Sequence, residues 1–83
     1  MHQNLHTTSY RRIMDSFLKR KKNTYKLLEK DTLISRYNLG NYLTVLLNKK
    51  YITKVKVGKR VIFSMTDNGF NEFNYYVNGV LFI

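Results

Sequence analysis

Apolar residues recur at helical spacing between residues 35 and 50, and this is the clearest pattern in the chain. Five apolar side chains share one face of the predicted helix: Leu39, Tyr42, Leu43, Leu46 and Leu47. The opposite face displays side chains with polar groups: Tyr37, Asn38, Asn41, Thr44 and Asn48. Ser35 is the predicted N-cap, because its hydroxyl can accept a hydrogen bond from an amide of the first turn. The pattern predicts a helix that buries one face and exposes the other.

Two shorter amphipathic segments precede this helix. Residues 10–20, with Ser9 as the predicted cap, form an apolar face from Tyr10, Ile13, Met14, Phe17 and Leu18. Thr24 can cap a second helix over residues 25–30, which Leu27 and Leu28 anchor. Residues 31–34 then make the turn into the 35–50 helix. Two helices joined by a tight turn, the second with a polar outer face, are typical of a helix-turn-helix module.

Residues 51–65 change to the alternation that is typical of β-strands. We predict strands over residues 51–57 and 61–65, because Gly58, Lys59 and Arg60 between them are a turn signal. Four cations fall on this hairpin: Lys54, Lys56, Lys59 and Arg60. Strand lysines commonly protect an exposed sheet edge, but this explains the pair at the tip poorly. A cationic tip is typical of a wing that lies along a phosphate backbone or enters a minor groove.

The chain is predicted to end in a further helix. Thr66 can cap it, and the helix dipole favours Asp67 in its first turn. Its apolar stripe consists of Phe70, Phe73, Val77, Val80 and Leu81. Residues 67–69 can alternatively form a hairpin turn, and Asn78-Gly79 can end the helix early. Since a monomer this small has little to cover the stripe, we expect a homodimer through this helix; the alternative is a tail folded back on its own core.

Length and composition bound the class of protein. A chain of 83 residues makes one small domain, and a hydrophobic fraction of 43% is globular rather than disordered. There is no cysteine, no apolar run of membrane-spanning length and no signal-peptide pattern, so we expect a soluble cytoplasmic protein. We divide the chain into a flexible arm (residues 1–8), a DNA-binding domain (residues 9–66) and a C-terminal helix (residues 67–83).

Charge is distributed unevenly along the chain. Fifteen Lys and Arg stand against five Asp and Glu, a net charge of +10, and every cation lies within residues 1–60. One part of the chain is therefore suited to a polyanion, and nucleic acid is the expected partner rather than a membrane. Five further cations are candidates for backbone contacts, although those of the 19–22 run also suit a solvated connector: Arg11, Lys19, Arg20, Lys21 and Lys22. Asn38 and Asn41 are the expected base readers, assisted by Arg36, which lies in the first turn near phosphate or base reach.

Four groups of residues follow one another in a fairly specific order: Arg12-Ile-Met with Phe17-Leu18, Thr24 with Leu27-Leu28 and Ile34-Ser35, Tyr42-Leu-Thr-Val-Leu-Leu47 with Tyr51-Ile52, and Met65-Thr-Asp-Asn-Gly69. In this order they resemble small archaeal and archaeal-virus winged helix-turn-helix transcriptional regulators. The last group looks like the hydrophobic-Thr-x-x-Gly entry to that family's final helix. The resemblance covers residues 10–69.

The resemblance implies an α+β fold of three helices, a two-stranded β-hairpin wing and a C-terminal helix. It also implies that the 35–50 helix reads the major groove, that the wing contacts the backbone and that the last helix dimerises. The sequence departs from the family in two places. Lys49-Lys50 stand where a glycine usually follows the recognition helix, and Gly40 lies inside that helix at a cost in stability. Gly40 either permits close approach of the backbone to DNA or to the second helix, or is tolerated drift.

Nothing in the sequence indicates catalysis. The two histidines, His2 and His6, lie in the predicted arm, and two imidazoles without a cysteine or a nearby carboxylate make a weak metal site. No nucleophile–base pairing, glycine-rich phosphate loop or carboxylate pair is recognisable. We therefore expect no catalytic residue, no metal, no cofactor and no small-molecule ligand.

Several binding functions remain open at this point. An RNA-binding winged helix shares the charge pattern, and Tyr25, Tyr37 and Tyr75 can stack on bases, but no RRM-type aromatic motif or GxxG loop is present. A sequence-tolerant, chromatin-like DNA coating protein is the closest rival, and an adaptor whose wing binds protein is the third. The polar groups on the 35–50 helix favour a sequence-specific regulator of double-stranded DNA.

Overall fold

The computed structural model describes residues 8–72 of the chain. Its first six elements are, in chain order, α1 (Thr8–Lys19), β1 (Lys22–Asn23), α2 (Tyr25–Thr32), α3 (Arg36–Asn48), β2 (Ile52–Val57) and β3 (Arg60–Met65). Residues 67–72 begin a fourth helix, α4. The strands form one antiparallel sheet in the order β1-β3-β2. A helix-turn-helix followed by a β-hairpin is the winged helix-turn-helix fold, which confirms the predicted fold class.

The core lies between the three helices and one face of the sheet. Every element except β1 and α4 contributes buried apolar residues: Tyr10, Ile13, Phe17, Leu28, Leu39, Leu43, Leu46, Ile52, Phe63 and Met65. The i, i+4, i+7 spacing of Leu39, Leu43 and Leu46 puts all three into this core, as the pattern predicts. Tyr42, at the edge of the core, contacts the Tyr10 ring edge-on at a centroid distance of 4.9 Å.

Two of the three N-caps predicted for α1, α2 and α3 are confirmed, those of α2 and α3. The Thr24 hydroxyl accepts a hydrogen bond from the Leu27 amide (3.3 Å) at α2, and Ser35 accepts one from Asn38 (3.4 Å) at α3. Ser9 is not a cap, because α1 begins one residue before it. Leu18 was predicted in the apolar face of α1, but its side chain is 42% exposed.

The predicted connector over residues 19–22 contains a short strand that the sequence did not indicate. Lys22 pairs with Ser64 and Asn23 with Phe63, so β1 adds a third strand beside the wing. Asn23 is 1% exposed and lies on the core face, whereas Lys22 is exposed. Two residues are too few to show an alternation of apolar and polar side chains, so β1 is recognisable only by its pairing with β3.

The end of α3 explains the departure at Lys49-Lys50. The Lys50 amide bonds to the Leu47 carbonyl and the Tyr51 amide to the Leu46 carbonyl, both at 3.0 Å, which is a Schellman termination. Lys50 accordingly has a left-handed φ of 62°, the conformation that normally favours glycine at this place. Lys50 therefore adopts the backbone conformation that glycine usually provides at the end of a helix.

Gly40 does not permit close packing between helices. A β-carbon added there would have no atom within 4 Å, so the interpretation of close approach to the second helix is wrong. Two interpretations of Gly40 remain: close approach of the α3 backbone to DNA, and tolerated drift.

The start of α4 decides between the two structures predicted for residues 67–69. The Thr66 hydroxyl accepts a hydrogen bond from the Gly69 amide (3.0 Å), and the Phe70 amide bonds to the Thr66 carbonyl (2.8 Å). These are helix-start bonds, so the start of the predicted helix is confirmed over residues 67–72 and the hairpin turn is wrong. Phe70 is 48% exposed. The remaining stripe residues lie outside the described residues: Phe73, Val77, Val80 and Leu81.

Candidate nucleic-acid interface

The outer face of α3 is exposed along its length, as the candidate reading surface requires. Its seven candidate residues all lie on the surface: Ser35, Arg36, Tyr37, Asn38, Asn41, Thr44 and Asn48. Ser35 is engaged as the N-cap, and the Thr44 hydroxyl donates to the Gly40 carbonyl at 2.8 Å. The side-chain amides of Asn38 and Asn41 make no hydrogen bond to residues 8–72, so both can bind an external partner. An amide pairs well with the donor and acceptor edge of adenine.

The two strands of the wing have two different faces. The register pairs Lys54 with Phe63 and Lys56 with Val61, so both lysines share the face that becomes the core at the base of the hairpin. Both lysines are nevertheless exposed. Val55 and Val57 lie on the other face and are 54% and 58% exposed. Gly58 turns the tip with a φ of 64°.

A cleft of about 410 Å³ separates the wing from the starts of α2 and α3. Four cations line it: Lys26, Arg36, Lys59 and Arg60. The Arg36 guanidinium lies over the Tyr25 ring, with 4.6 Å between the guanidinium carbon and the ring centroid. Tyr25 in turn contacts the buried Phe63 ring edge-on at 5.1 Å.

Sequence reasoning did not single out Lys26, and it did not predict that the Arg36 guanidinium lies over the Tyr25 ring. No local signal marks Lys26, because its position opposite the tip of the wing depends on how the sheet packs against α2. The contact between Arg36 and Tyr25, eleven residues apart, also has no recognisable signal in the sequence. Only the fold brings these residues together.

The cations at the end of α1 differ from one another in how they are engaged. The Arg20 guanidinium pairs with the Asp31 carboxylate and donates a hydrogen bond to Asn23 (3.0 Å). The Ser16 hydroxyl bonds to the same carboxylate at 2.7 Å, and the Lys19 ammonium lies 3.9 Å from it. The half-buried Arg20 side chain therefore links the end of α1 to β1 and α2.

This network also sets the titration of its carboxylate. The hydrogen bond from Ser16, followed by that from Arg20, holds the pKa of Asp31 below its usual range. The remaining backbone candidates are exposed: Arg11, Lys19, Lys21 and Lys22. Among residues 8–72, both ion pairs involve Asp31, so the cations of α3 and of the wing are unpaired there.

Other kinds of site are not found in the described part of the chain. Residues 8–72 contain no group of three metal-ligating side chains. None of the helices in this range is long and apolar enough to cross a membrane. His2 and His6 lie outside the described residues.

Comparison by sequence finds no relatives. No protein-family model matches the chain, and no curated protein matches it.

Comparison by structure finds close likenesses. One match is Bordetella bronchiseptica BpsR, whose structure is described as the mechanism for regulation of DNA binding by 6-hydroxynicotinic acid. It superposes with a TM-score of 0.82 at 14% sequence identity, and the match covers 88% of this chain and 54% of BpsR. A transcriptional regulator homologue from Pyrococcus horikoshii OT3 gives 0.75 at 24% identity, over 82% and 71%. The AntR antimony-specific transcriptional repressor gives 0.76 at 10% identity, over 93% and 69%. The chain therefore spans about half the length of BpsR, and at these identities the likenesses establish the winged-helix fold.

Proposed function

We propose that this protein is a transcriptional regulator that binds double-stranded DNA in a sequence-specific manner. In this proposal α3 enters the major groove and the wing contacts the backbone or the adjacent minor groove. The observation that carries it is the exposed polar face of α3 beside the cationic wing, both on the basic part of a chain with net charge +10.

The outer face of α3 and the wing have different roles in this proposal. Asn38 and Asn41 present amide groups near the start of α3, the end of a recognition helix that usually reaches base edges. The wing presents ammonium and guanidinium groups from Lys54, Lys56, Lys59 and Arg60, which suit phosphate oxygens. Arg11, Lys19, Lys21 and Lys22 can supply further backbone contacts. Arg20 is left out of the proposed contact set because its guanidinium is already bound by Asp31 and Asn23.

The structural neighbours support the same function. Three proteins with this fold are described as a transcriptional regulator homologue, a transcriptional repressor and a protein whose DNA binding is regulated. Fold alone does not assign function, so the exposed polar groups of α3 and the charge pattern are needed beside it.

The proposal includes a homodimer formed through α4. Phe70 is 48% exposed where α4 begins, and the sequence continues the apolar stripe beyond the described residues. A two-fold axis through this stripe would set two copies of α3 roughly one DNA turn, ~34 Å, or a multiple apart. The binding site is then a pseudo-palindrome.

Fluorescence anisotropy with labelled duplex DNA tests the binding. Since several phosphates are neutralised, affinity should fall on the order of 10³-fold or more between ~50 and ~200 mM salt. A flat salt response, or a preference for single-stranded RNA, contradicts the proposal.

Footprinting on the DNA upstream of the protein's own coding sequence tests specificity. A bounded, symmetric footprint is the expected result. Continuous protection that spreads along the fragment identifies a sequence-tolerant coating protein instead.

A further inference from the structure

The cleft between the wing and the helix-turn-helix brings together cations from both. The proposed roles, a helix that reads bases and a wing that binds the backbone, do not explain this cluster. The cleft collects Lys26 from α2, Arg36 from α3 and Lys59 with Arg60 from the tip of the wing. These residues are far apart in the sequence and belong to three different elements. None of the carboxylates of residues 8–72 lines the cleft, and none of its four cations forms an ion pair with those residues.

The inner wall of the cleft holds one of these cations in a fixed orientation. Arg36 stacks on the Tyr25 ring, and the Tyr25 ring rests edge-on against Phe63, which is 0% exposed. A guanidinium supported in this way loses less rotamer freedom on binding, and it keeps its N–H donors directed sideways, in the plane of the group. The arrangement suits an oxyanion with several acceptor oxygens.

We propose that this cleft binds a single phosphate group of the DNA backbone, clamped between α3 and the wing. Lys26 and Arg36 form one side of the clamp, and Lys59 and Arg60 form the other. The inference rests on the proposed function, and it reassigns Arg36 from assisting base recognition to holding phosphate. A clamp at this point fixes the angle between α3 and the wing when both engage the duplex.

Loss of one side of the clamp should weaken binding to every duplex alike. Lys26→Ala and Arg36→Ala should each lower duplex affinity about tenfold, the effect of losing a charge-assisted hydrogen bond. The double variant should lower the slope of log affinity against log salt by up to about one, since the phosphate keeps only the cations of the wing. Lys30→Ala is the matched control, because it removes an exposed lysine of the same helix outside the cleft.

Three further measurements distinguish this inference from its rivals. Arg36→Ala should leave the ranking of duplex sequences unchanged; a relaxed ranking makes Arg36 a base reader and overturns its assignment. Arg36→Lys, which keeps the charge but not the planar fork, should recover only part of the affinity.

Inorganic phosphate, added at constant ionic strength, should not displace the duplex. Displacement that saturates below about 1 mM phosphate shows a site for a free anion instead, because a single screened ion pair binds an anion far more weakly than this.

The outcomes separate the inference from the function on which it rests. If the wild type binds duplex with the steep salt dependence but Lys26→Ala and Arg36→Ala bind within twofold of it, the clamp is refuted and the proposed function stands. If the wild type itself shows no salt-dependent duplex binding, the proposed function fails, and the clamp fails with it. Circular dichroism of each variant confirms that the fold is retained in these comparisons.

Discussion

Gly69 and Tyr51 are in backbone contact: a β-carbon on Gly69 would lie 2.9 Å from the Tyr51 carbonyl carbon and closer still to its oxygen. That oxygen cannot easily move, because it accepts a hydrogen bond from the Thr66 amide at 2.9 Å. The Thr66 hydroxyl also donates to the Lys50 carbonyl at 2.7 Å. The first turn of α4 is therefore fixed against the segment that joins α3 to the wing.

Gly69→Ala should consequently destabilise the protein. The added methyl group has to displace backbone, and overpacking of this kind costs about 1–3 kcal/mol of unfolding free energy. Gly40→Ala is the control, because open space surrounds its β-carbon and alanine favours the helix by about 1 kcal/mol. Urea denaturation should therefore move the two midpoints in opposite directions. If Gly69→Ala is as stable as the wild type, the contact with Tyr51 does not constrain α4.

Lys50→Gly should stabilise the protein. Lys50 holds a φ of 62°, which costs a residue with a β-carbon roughly 1 kcal/mol relative to glycine. Lys49→Gly is the matched control, since Lys49 has a φ of −82° and gains nothing from glycine. Thermal denaturation should raise the midpoint for the first variant and lower it slightly for the second. Equal shifts for the two would mean that the backbone at Lys50 is not strained.

The carboxylate of Asp31 should make stability depend on acid pH. Its pKa is lowered in the folded state, so it contributes stability that is present above its unfolded pKa of ~3.9 and lost as pH falls through the lower folded value. Asp31→Asn should cost about 1–3 kcal/mol at pH 7, and the difference from the wild type should shrink below about pH 4. Urea denaturation at a series of pH values measures this.

The control for this titration is Asp15→Asn, which removes an exposed carboxylate from α1. It should not reproduce the loss of stability at pH 7 or its disappearance in acid. A difference between Asp31→Asn and the wild type that stays constant down to pH 2 would contradict the role of the ionised carboxylate.

Sequence reasoning succeeded where the determinants of structure are local. The burial of Leu39, Leu43 and Leu46 follows from helical period alone, and the caps at Thr24 and Ser35 follow from hydroxyl groups placed just before an apolar pattern. The hairpin followed from alternation and a turn signal.

It failed where a structure depends on a distant partner. Asn23 is buried in a strand only because it pairs with Phe63, and Arg20 is bound only because Asp31 from α2 lies beside it. Lys26 faces the wing for the same reason. Pairing across the sheet and between helices leaves no periodic signal in a single sequence, so this part of the candidate site was not predictable.

Asn41→Ala and Lys59→Ala should affect DNA binding in different ways. Asn41 lies on the exposed face of α3, and a bidentate contact to a base is worth ~1–3 kcal/mol of discrimination. Its loss should therefore bring cognate and unrelated duplexes closer in affinity. Lys59 lies at the tip of the wing, and its loss should weaken all duplexes alike. Anisotropy titrations with both kinds of duplex give the comparison. Equal losses of specific and non-specific binding in both variants would show that these two roles are wrongly assigned.

Phe70 contributes to a groove that runs between α1 and α4. The groove has a volume of about 380 Å³, and its apolar lining comes from Phe17, Leu18, Met65 and Phe70. Its other lining residues are polar or charged: Lys19, Arg20, Lys21, Thr66 and Asp67. Leu18 and Phe70 are 42% and 48% exposed, although both are large apolar side chains. Exposed apolar surface of this kind is typical of an interface. The groove lies where the predicted stripe of α4 begins, which makes it part of the proposed dimer surface.

Phe70→Asp should therefore convert the dimer to a monomer. The change removes the apolar ring and brings into the proposed interface a carboxylate whose desolvation typically costs several kcal/mol, which shifts association beyond the micromolar range. Val57→Asp is the matched control, because Val57 is 58% exposed on the wing, away from α4. Sedimentation equilibrium at micromolar concentration should give twice the 10.0 kDa chain mass for the wild type and for Val57→Asp, and the single mass for Phe70→Asp. A wild-type protein that sediments as a monomer refutes the dimer and favours a tail that covers its own core.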